Sequence, residues 1–268
     1  MESRGGFAGS PLPFLEDKMT FQAPKAVQFG QSARALIIVV VAALAVSCGG
    51  QSYSCGTPSS GHCYGTVEWD GDFTGFAMEL TPVSLTSGNI FVDDEGWLID
   101  YFAPGDPLKG AYWVEAGEIN EGFGTDYFWA ENTKALGFVS TDLGAVDPSD
   151  ISKGNWIAFT IDQSGAKADQ WNVIISRAAT GSTLFRAQST SNPMSPNAIL
   201  EGQELAGESN AQAPLALFSE NQVIHGSTIS FQTTDGTVTD DRPPNAGWFG
   251  ASKPSQTTVG GYFFTDCC

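Results

Sequence analysis

Histidine is nearly absent. His62 and His225 are the only two in 268 residues, which excludes a histidine-rich metal centre. Basic residues are scarce too: 12 Lys+Arg face 30 Asp+Glu, a formal charge of −18 that disfavours nucleic acid and anionic lipid as partners. No Gly-x-Ser-x-Gly elbow occurs. No glycine-rich phosphate cradle precedes a helix, and no repeat of 20–50 residues is evident. The longest apolar run, Ala35–Val46, has twelve residues. That falls short of the roughly 20 needed to span a bilayer but suits the core of a signal peptide. Nothing in the chain calls for a metal or another cofactor.

The apolar run divides the chain. Residues 1–47 read as an export segment containing a signal helix, with Met1 or Met19 as the start. The run ends in Leu44-Ala45-Val46-Ser47-Cys48-Gly49, which resembles the lipobox of bacterial lipoproteins, although Ala45 stands where leucine is preferred. The resemblance implies lipidation of Cys48 and a protein held on the outside of a bacterial cell through that membrane anchor. Ordinary cleavage with release is the alternative. Residues 48–61 are Gly/Ser-rich and read as a flexible tether. Residues 62–268 are the domain. Loss of residues 1–47 removes four basic and three acidic residues and leaves 8 Lys+Arg against 27 Asp+Glu.

Cysteine is missing between residues 63 and 267. Cys55 and Cys63 stand at one end of the domain and Cys267 and Cys268 at the other. An exported chain with four such residues suggests disulfides. Three pairings exist. Because a bond between the neighbours Cys267 and Cys268 is strained, both are expected to join Cys55 and Cys63, which needs the first and last strands to be adjacent. A metal site with His62 nearby is the weaker alternative.

Past the tether no stretch keeps a 3.6-residue period. Short runs rich in aromatic and β-branched residues alternate with Gly, Pro, Asn and Asp. The strands expected are 63–69, 74–81, 96–102, 111–117, 126–131, 136–141, 156–162, 171–177, 182–189, 199–205, 213–218, 227–233 and 260–265. About a dozen short strands point to an all-β fold, a two-sheet antiparallel jelly-roll sandwich. Asp93-Asp94-Glu95 and the stretch from Asp235 to Asp241 read as acidic turns. Calcium loops are the alternative there, but neither matches a known spacing.

Two segments carry candidate chemistry. In Tyr112-Trp113-Val114-Glu115-Ala116-Gly117 the alternation puts Tyr112, Val114 and Ala116 on a core face and Trp113, Glu115 and Gly117 on the other. The 126–131 strand should pair with it, offering Tyr127 and Trp129 as the other wall of an aromatic substrate cleft. In the second segment Leu200, Gly202 and Glu204 share a face. If the two strands lie side by side, Glu115 and Glu204 converge and can share acid and base roles. Solvated surface glutamates are the plain alternative for both.

Glu115-Ala116-Gly117, Tyr127-Phe128-Trp129, Gly202-Gln203-Glu204-Leu205 and the run from Ala213 to Val223 together resemble, in order and spacing over residues 63–235, the neprosin-type glutamic peptidases. The fungal glutamic peptidases share the sandwich and a comparable catalytic pair. The resemblance implies a hydrolase with two catalytic glutamates, mapping to Glu115 and Glu204, that works in acid, takes no cofactor and prefers to cleave after proline. The chain departs from the pattern in two places: only a short tether stands where the plant enzymes carry a long pro-segment, and Glu118 follows Glu-Ala-Gly where an aromatic is common. Gly117-Glu118-Ile119-Asn120-Glu121 faintly resembles the catalytic strand of laminarinase-type glycoside hydrolases, but Glu118 and Glu121 would point to opposite faces. The remaining alternative is a non-catalytic surface module that binds peptide or carbohydrate.

Overall fold

A computed structural model describes residues 62–83, 91–101, 111–120, 124–163, 167–206, 216–231, 236–240, 250–251 and 262–266. The export segment, the tether, Cys48, Cys55, Cys267 and Cys268 lie outside them. The described residues form fifteen strands and one short helix. The strands are β1 (His62–Asp70), β2 (Gly75–Leu80), β3 (Phe91–Tyr101), β4 (Ala111–Asn120), β5 (Asp126–Thr133), β6 (Gly137–Ala145), β7 (Ile157–Gln163), β8 (Trp171–Arg177), β9 (Ser182–Gln188), β10 (Ala198–Ala206), β11 (Ala216–His225), β12 (Thr228–Phe231), β13 (Thr237–Asp240), β14 (Gly250–Ala251) and β15 (Tyr262–Asp266). They build two antiparallel sheets, in the orders β13-β1-β10-β3-β4-β5-β6 and β14-β15-β11-β2-β7-β8-β9, with β12 paired to β11. This is the two-sheet sandwich that the alternating pattern called for.

The sheets close on an apolar core. Phe76, Met78 and Leu80 of β2, Ile157, Phe159 and Ile161 of β7 and Trp171, Val173 and Ile175 of β8 supply one side. Val67, Leu98, Val114, Ala116 and Ile199 supply the other. Each Val, Leu, Ile, Met or Phe among them, fully withdrawn from water, contributes roughly 1.5–3 kcal/mol before entropy is charged against it. Gly96 is small for a reason: a Cβ there would come within 2.6 Å of the Phe76 ring. The helix α1 (Pro148–Lys153) starts where Asp147 caps the Ser149 N–H at 2.8 Å and Pro148 takes the first turn, and it ends at Gly154 in a left-handed conformation.

Several expectations change. Asp93-Asp94-Glu95 are no turn; they lie inside β3, hydrogen-bonded to strands on both sides. Strand β11 runs on past Phe218 to His225, accommodating Glu220 and Asn221 as a bulge between Ser219 and Gln222. The first and last strands lie in different sheets, β1 between β13 and β10 and β15 between β14 and β11, yet they approach each other from one sheet to the other.

Candidate active site

Three adjacent strands carry the candidate residues. Glu204 is on β10 and Glu115 on β4, and they are not side by side, because β3 runs between them. Registration fixes the rows on the outer face. Tyr64, Glu204, Asp93 and Ile119 form one row across β1, β10, β3 and β4. Thr66, Gly202, Glu95 and Gly117 form the next, and Leu200, Trp97, Glu115 and Ala130 the one after. Glu95 thus stands midway between the two expected catalytic residues, with a glycine on each side. Both glycines are forced by close backbone approach. A Cβ at Gly117 would lie 2.2 Å from the Asp94 carbonyl oxygen, and one at Gly202 would lie 2.3 Å from that of Gly65.

The alternation explains why these carboxyls share a face, and the neighbouring side chains explain why they are recessed on it. Glu115 and Glu204 are each 7% exposed, Asp93 3% and Glu95 1%. Burial holds the Glu115 carboxyl well above the ordinary range, and the nearby Glu204 charge adds to this. The indoles of Trp97 and Trp113 partly offset it. Glu95 is raised as well, by burial first and then by Glu115, Asp93, Glu204 and Asp94 in turn. Burial, Glu204 and Glu95 together keep the Tyr64 phenol protonated, and that phenol hydrogen-bonds Glu204. One oxygen each from Asp93, Glu95 and Glu204 lie within 4.8 Å of one another. A hard cation fits that spacing, but so do protons shared among carboxyls, and we assign no metal ligands. The loop into β10 is pinned beside the site. Asn192 Nδ2 donates to the Trp113 carbonyl at 3.3 Å, and Asn197 accepts from the Tyr101 N–H at 3.0 Å while donating back to its carbonyl at 3.1 Å.

Of the residues expected to bind substrate, Trp113 lies on the same face as the carboxyls. Tyr127 and Trp129 do not. Both point into the core between the sheets, Tyr127 against Phe159 and Phe185, because the register pairs Tyr127 with the inward Glu118 and Trp129 with the inward Ala116. The aromatic companion of Trp113 is Phe138, on edge strand β6. Their ring centroids are 6.4 Å apart, and Phe138 is 61% exposed. Phe138 could have been found by counting the β5–β6 hairpin outward from Trp113. Asp93 and Glu95 were obscured because an Asp-Asp-Glu run imitates a turn; Trp97 lay inside the expected strand 96–102, but nothing local linked it to the carboxyls. Glu118 faces away from Glu115, into the core. A separate surface cavity of about 380 Å³, lined by Phe73, Trp171, Met194, Pro196 and His225 among others, includes none of the carboxyls above.

No family model and no curated protein matches the sequence. Solved structures do match by fold. A crystal structure of scytalido-glutamic peptidase with a transition-state analogue inhibitor aligns with TM-score 0.56 at 15% identity, over 77% of this chain and 98% of that one. A second structure of that peptidase, with a peptide-based transition-state analogue, gives 0.52 at 14% over the same shares. A structure of SCP-B, a member of the eqolisin family of peptidases, in complex with the tripeptide Ala-Ile-His gives 0.48 at 14%. At such identities the likeness is one of fold: the chain has a jelly-roll sandwich like that of the glutamic peptidases.

Proposed function

We propose that this chain is a glutamic endopeptidase of the neprosin type, acting in acid outside a bacterial cell and tethered there through Cys48. The observation that carries the reading is that Glu115 and Glu204, far apart in sequence, stand recessed on one face of one sheet, with Glu95 between them. Tyr64 donates to Glu204, which suits that carboxylate to take a proton from attacking water. Burial keeps Glu115 protonated, which suits it to polarise the scissile carbonyl and pass its proton to the leaving amine. The proton received by Glu204 then restores Glu115 through water or Glu95, so the cycle balances. Trp113 and Phe138 offer a peptide an aromatic wall.

Purified full-length protein should digest an unfolded, proline-containing protein at mildly acid pH. Glu115→Gln and Glu204→Gln should each lose on the order of 100-fold or more in kcat. Unaltered turnover in either variant would remove that residue from the mechanism. The rival reading, a peptide- or carbohydrate-binding module without catalysis, draws on the exposed Phe138 beside Trp113. It wins if wild type is inert yet binds peptide or glycan in a way that Phe138→Ala abolishes.

A further inference from the structure

The face opposite the candidate site carries polar groups that the reaction does not use. Gln203, Asp94 and Glu118 follow or precede groove-facing residues on β10, β3 and β4, and all three are fully buried. Gln203 stands opposite Asp94 across β10–β3, and Asp94 stands opposite Glu118 across β3–β4. Gln203 Nε2 donates to Asp94 Oδ1 at 2.7 Å. The Val83 N–H donates to Glu118 Oε1 at 2.9 Å. The two buried carboxyls stand directly opposite each other, and each shifts the other's titration. Among the described residues, no donor reaches Asp94 Oδ2 or Glu118 Oε2. Ionised carboxylates only accept hydrogen bonds, so a carboxyl–carboxyl contact must contain a proton.

We propose that Gln203, Asp94 and Glu118 are positioning residues. They form a hydrogen-bonded brace across three strands that fixes the spacing of Glu204, Glu95 and Glu115 on the other face, and the brace closes only while one proton is held between Asp94 and Glu118. Glu118, which stands where the resembled family commonly has an aromatic, thereby has a use: it completes the brace with Asp94.

The groups facing this pair set its response to pH. Burial raises Asp94, while Gln203 and Glu118 pull it back down. Burial raises Glu118 most, the Asp94 charge adds to this, and the Val83 N–H opposes it. Tyr127, opposite Glu118 on β5, and Glu95, next to Asp94 on β3, are the other titratable groups that interact with the pair; burial and then Glu118 hold the Tyr127 phenol protonated, with Asp150 and Asp147 adding to this and Arg177 opposing it. Gln203 and the Val83 amide are neutral. As pH rises and the shared proton leaves, two like charges face each other without water, and the brace opens.

Glu118→Gln and Asp94→Asn test this, because each puts an N–H in place of the shared proton and closes the brace at every pH. The decisive measurement is backbone amide exchange from pH 5 to pH 8, corrected for intrinsic rates, in the wild type and both variants. In the wild type, protection in β3, β4 and β10 should fall about tenfold or more over that range while β7 and β8 hold; in the variants it should stay within about twofold. Parallel loss in wild type and variants, or equal loss in β7 and β8, overturns the brace. If one amide variant does not fold, the other gives the same reading. Turnover supplies a second arm, which alone rests on the peptidase reading. At acid pH Glu118→Ala should lower kcat more than it changes KM, and Glu118→Gln should restore it; equal kcat in Glu118→Ala and wild type would refute the positioning role. A chain that cleaves no peptide would sink the peptidase reading and leave the exchange result to decide the brace.

Discussion

Glu201 tests the electrostatic account of this sheet most directly. Its side chain points into the core between Val67 and Gly96, is fully buried, and neither oxygen has a hydrogen-bond partner among the described residues. Burial alone raises its pKa well above the carboxylate range. The folded chain therefore keeps the Glu201 proton at a pH where the unfolded chain, with an ordinary glutamate near pKa 4.3, has released it. Stability from this group is complete below the unfolded pKa and drains away as pH rises toward the folded one, by up to about 1.4 kcal/mol per pH unit. From pH 5 to pH 7 that slope allows at most about 2.7 kcal/mol, a fall in Tm of no more than roughly 5–11 °C for a domain of this size. Glu201→Gln keeps the volume and removes the titration; Glu201→Met also removes the unsatisfied polar atoms. Thermal unfolding from pH 4 to pH 8 should show each variant pulling ahead of wild type as pH rises, with Glu201→Met ahead of Glu201→Gln throughout. A Tm difference that stays constant between pH 5 and pH 7, or narrows, would refute the reasoning.

Three other outcomes are expected. Gly117→Ala brings a Cβ to 2.2 Å from the Asp94 carbonyl oxygen and 2.5 Å from Glu95 Cβ, so β3 and β4 must part; denaturant titration should show a loss of roughly 1–3 kcal/mol or more. Asp150 is held below the ordinary carboxylate range, chiefly by the Arg177 guanidinium, whose Nη2 donates at 2.8 Å. Its stabilisation is present at neutral pH and is lost as pH falls through the folded pKa, so Asp150→Asn should lower Tm at pH 7 and cost progressively less as pH falls below the ordinary aspartate value of about 3.9. Phe138→Ala should leave Tm within about 2 °C of wild type, because the side chain is 61% exposed, while raising KM for peptide; an unchanged KM removes Phe138 from the binding face.

The sandwich was legible in the sequence because period-2 alternation bounded by turn residues is a local signal, and Val114, Ala116 and Ile199 obey it. The core face of β4 could be read for the same reason. Strand β3 was misread at its start because Asp93-Asp94-Glu95 offers no apolar face to detect. All three are buried by neighbouring strands that no local window can see. Tyr127 and Trp129 were assigned to the wrong side because large aromatics suit either a cleft or a core. Only the register, which sets Tyr127 against Glu118 and Trp129 against Ala116, decides between the two. The order β10-β3-β4 was not legible at all. It is a long-range pairing, and it is what puts Glu95 between Glu204 and Glu115.

That order also explains the distribution of acid in this protein. Strands β3, β4 and β10 contain no Lys or Arg, yet Asp93, Asp94, Glu95, Glu115, Glu118, Glu201 and Glu204 are all buried on them, on both faces of the sheet. Seven ionised carboxylates in so small a volume would repel one another with little water to screen them. Protons must therefore stand in for the missing cations, as the upward shifts of Asp94, Glu95, Glu115, Glu118 and Glu201 require. On the proposed reading, acid acts on the molecule twice in the same direction: it supplies the proton that the proposed acid role of Glu115 needs, and it supplies the protons that let the sheet beneath it close. Base removes both together, so loss of the site and loosening of β3, β4 and β10 should follow one another along the pH axis, with the other sheet affected last.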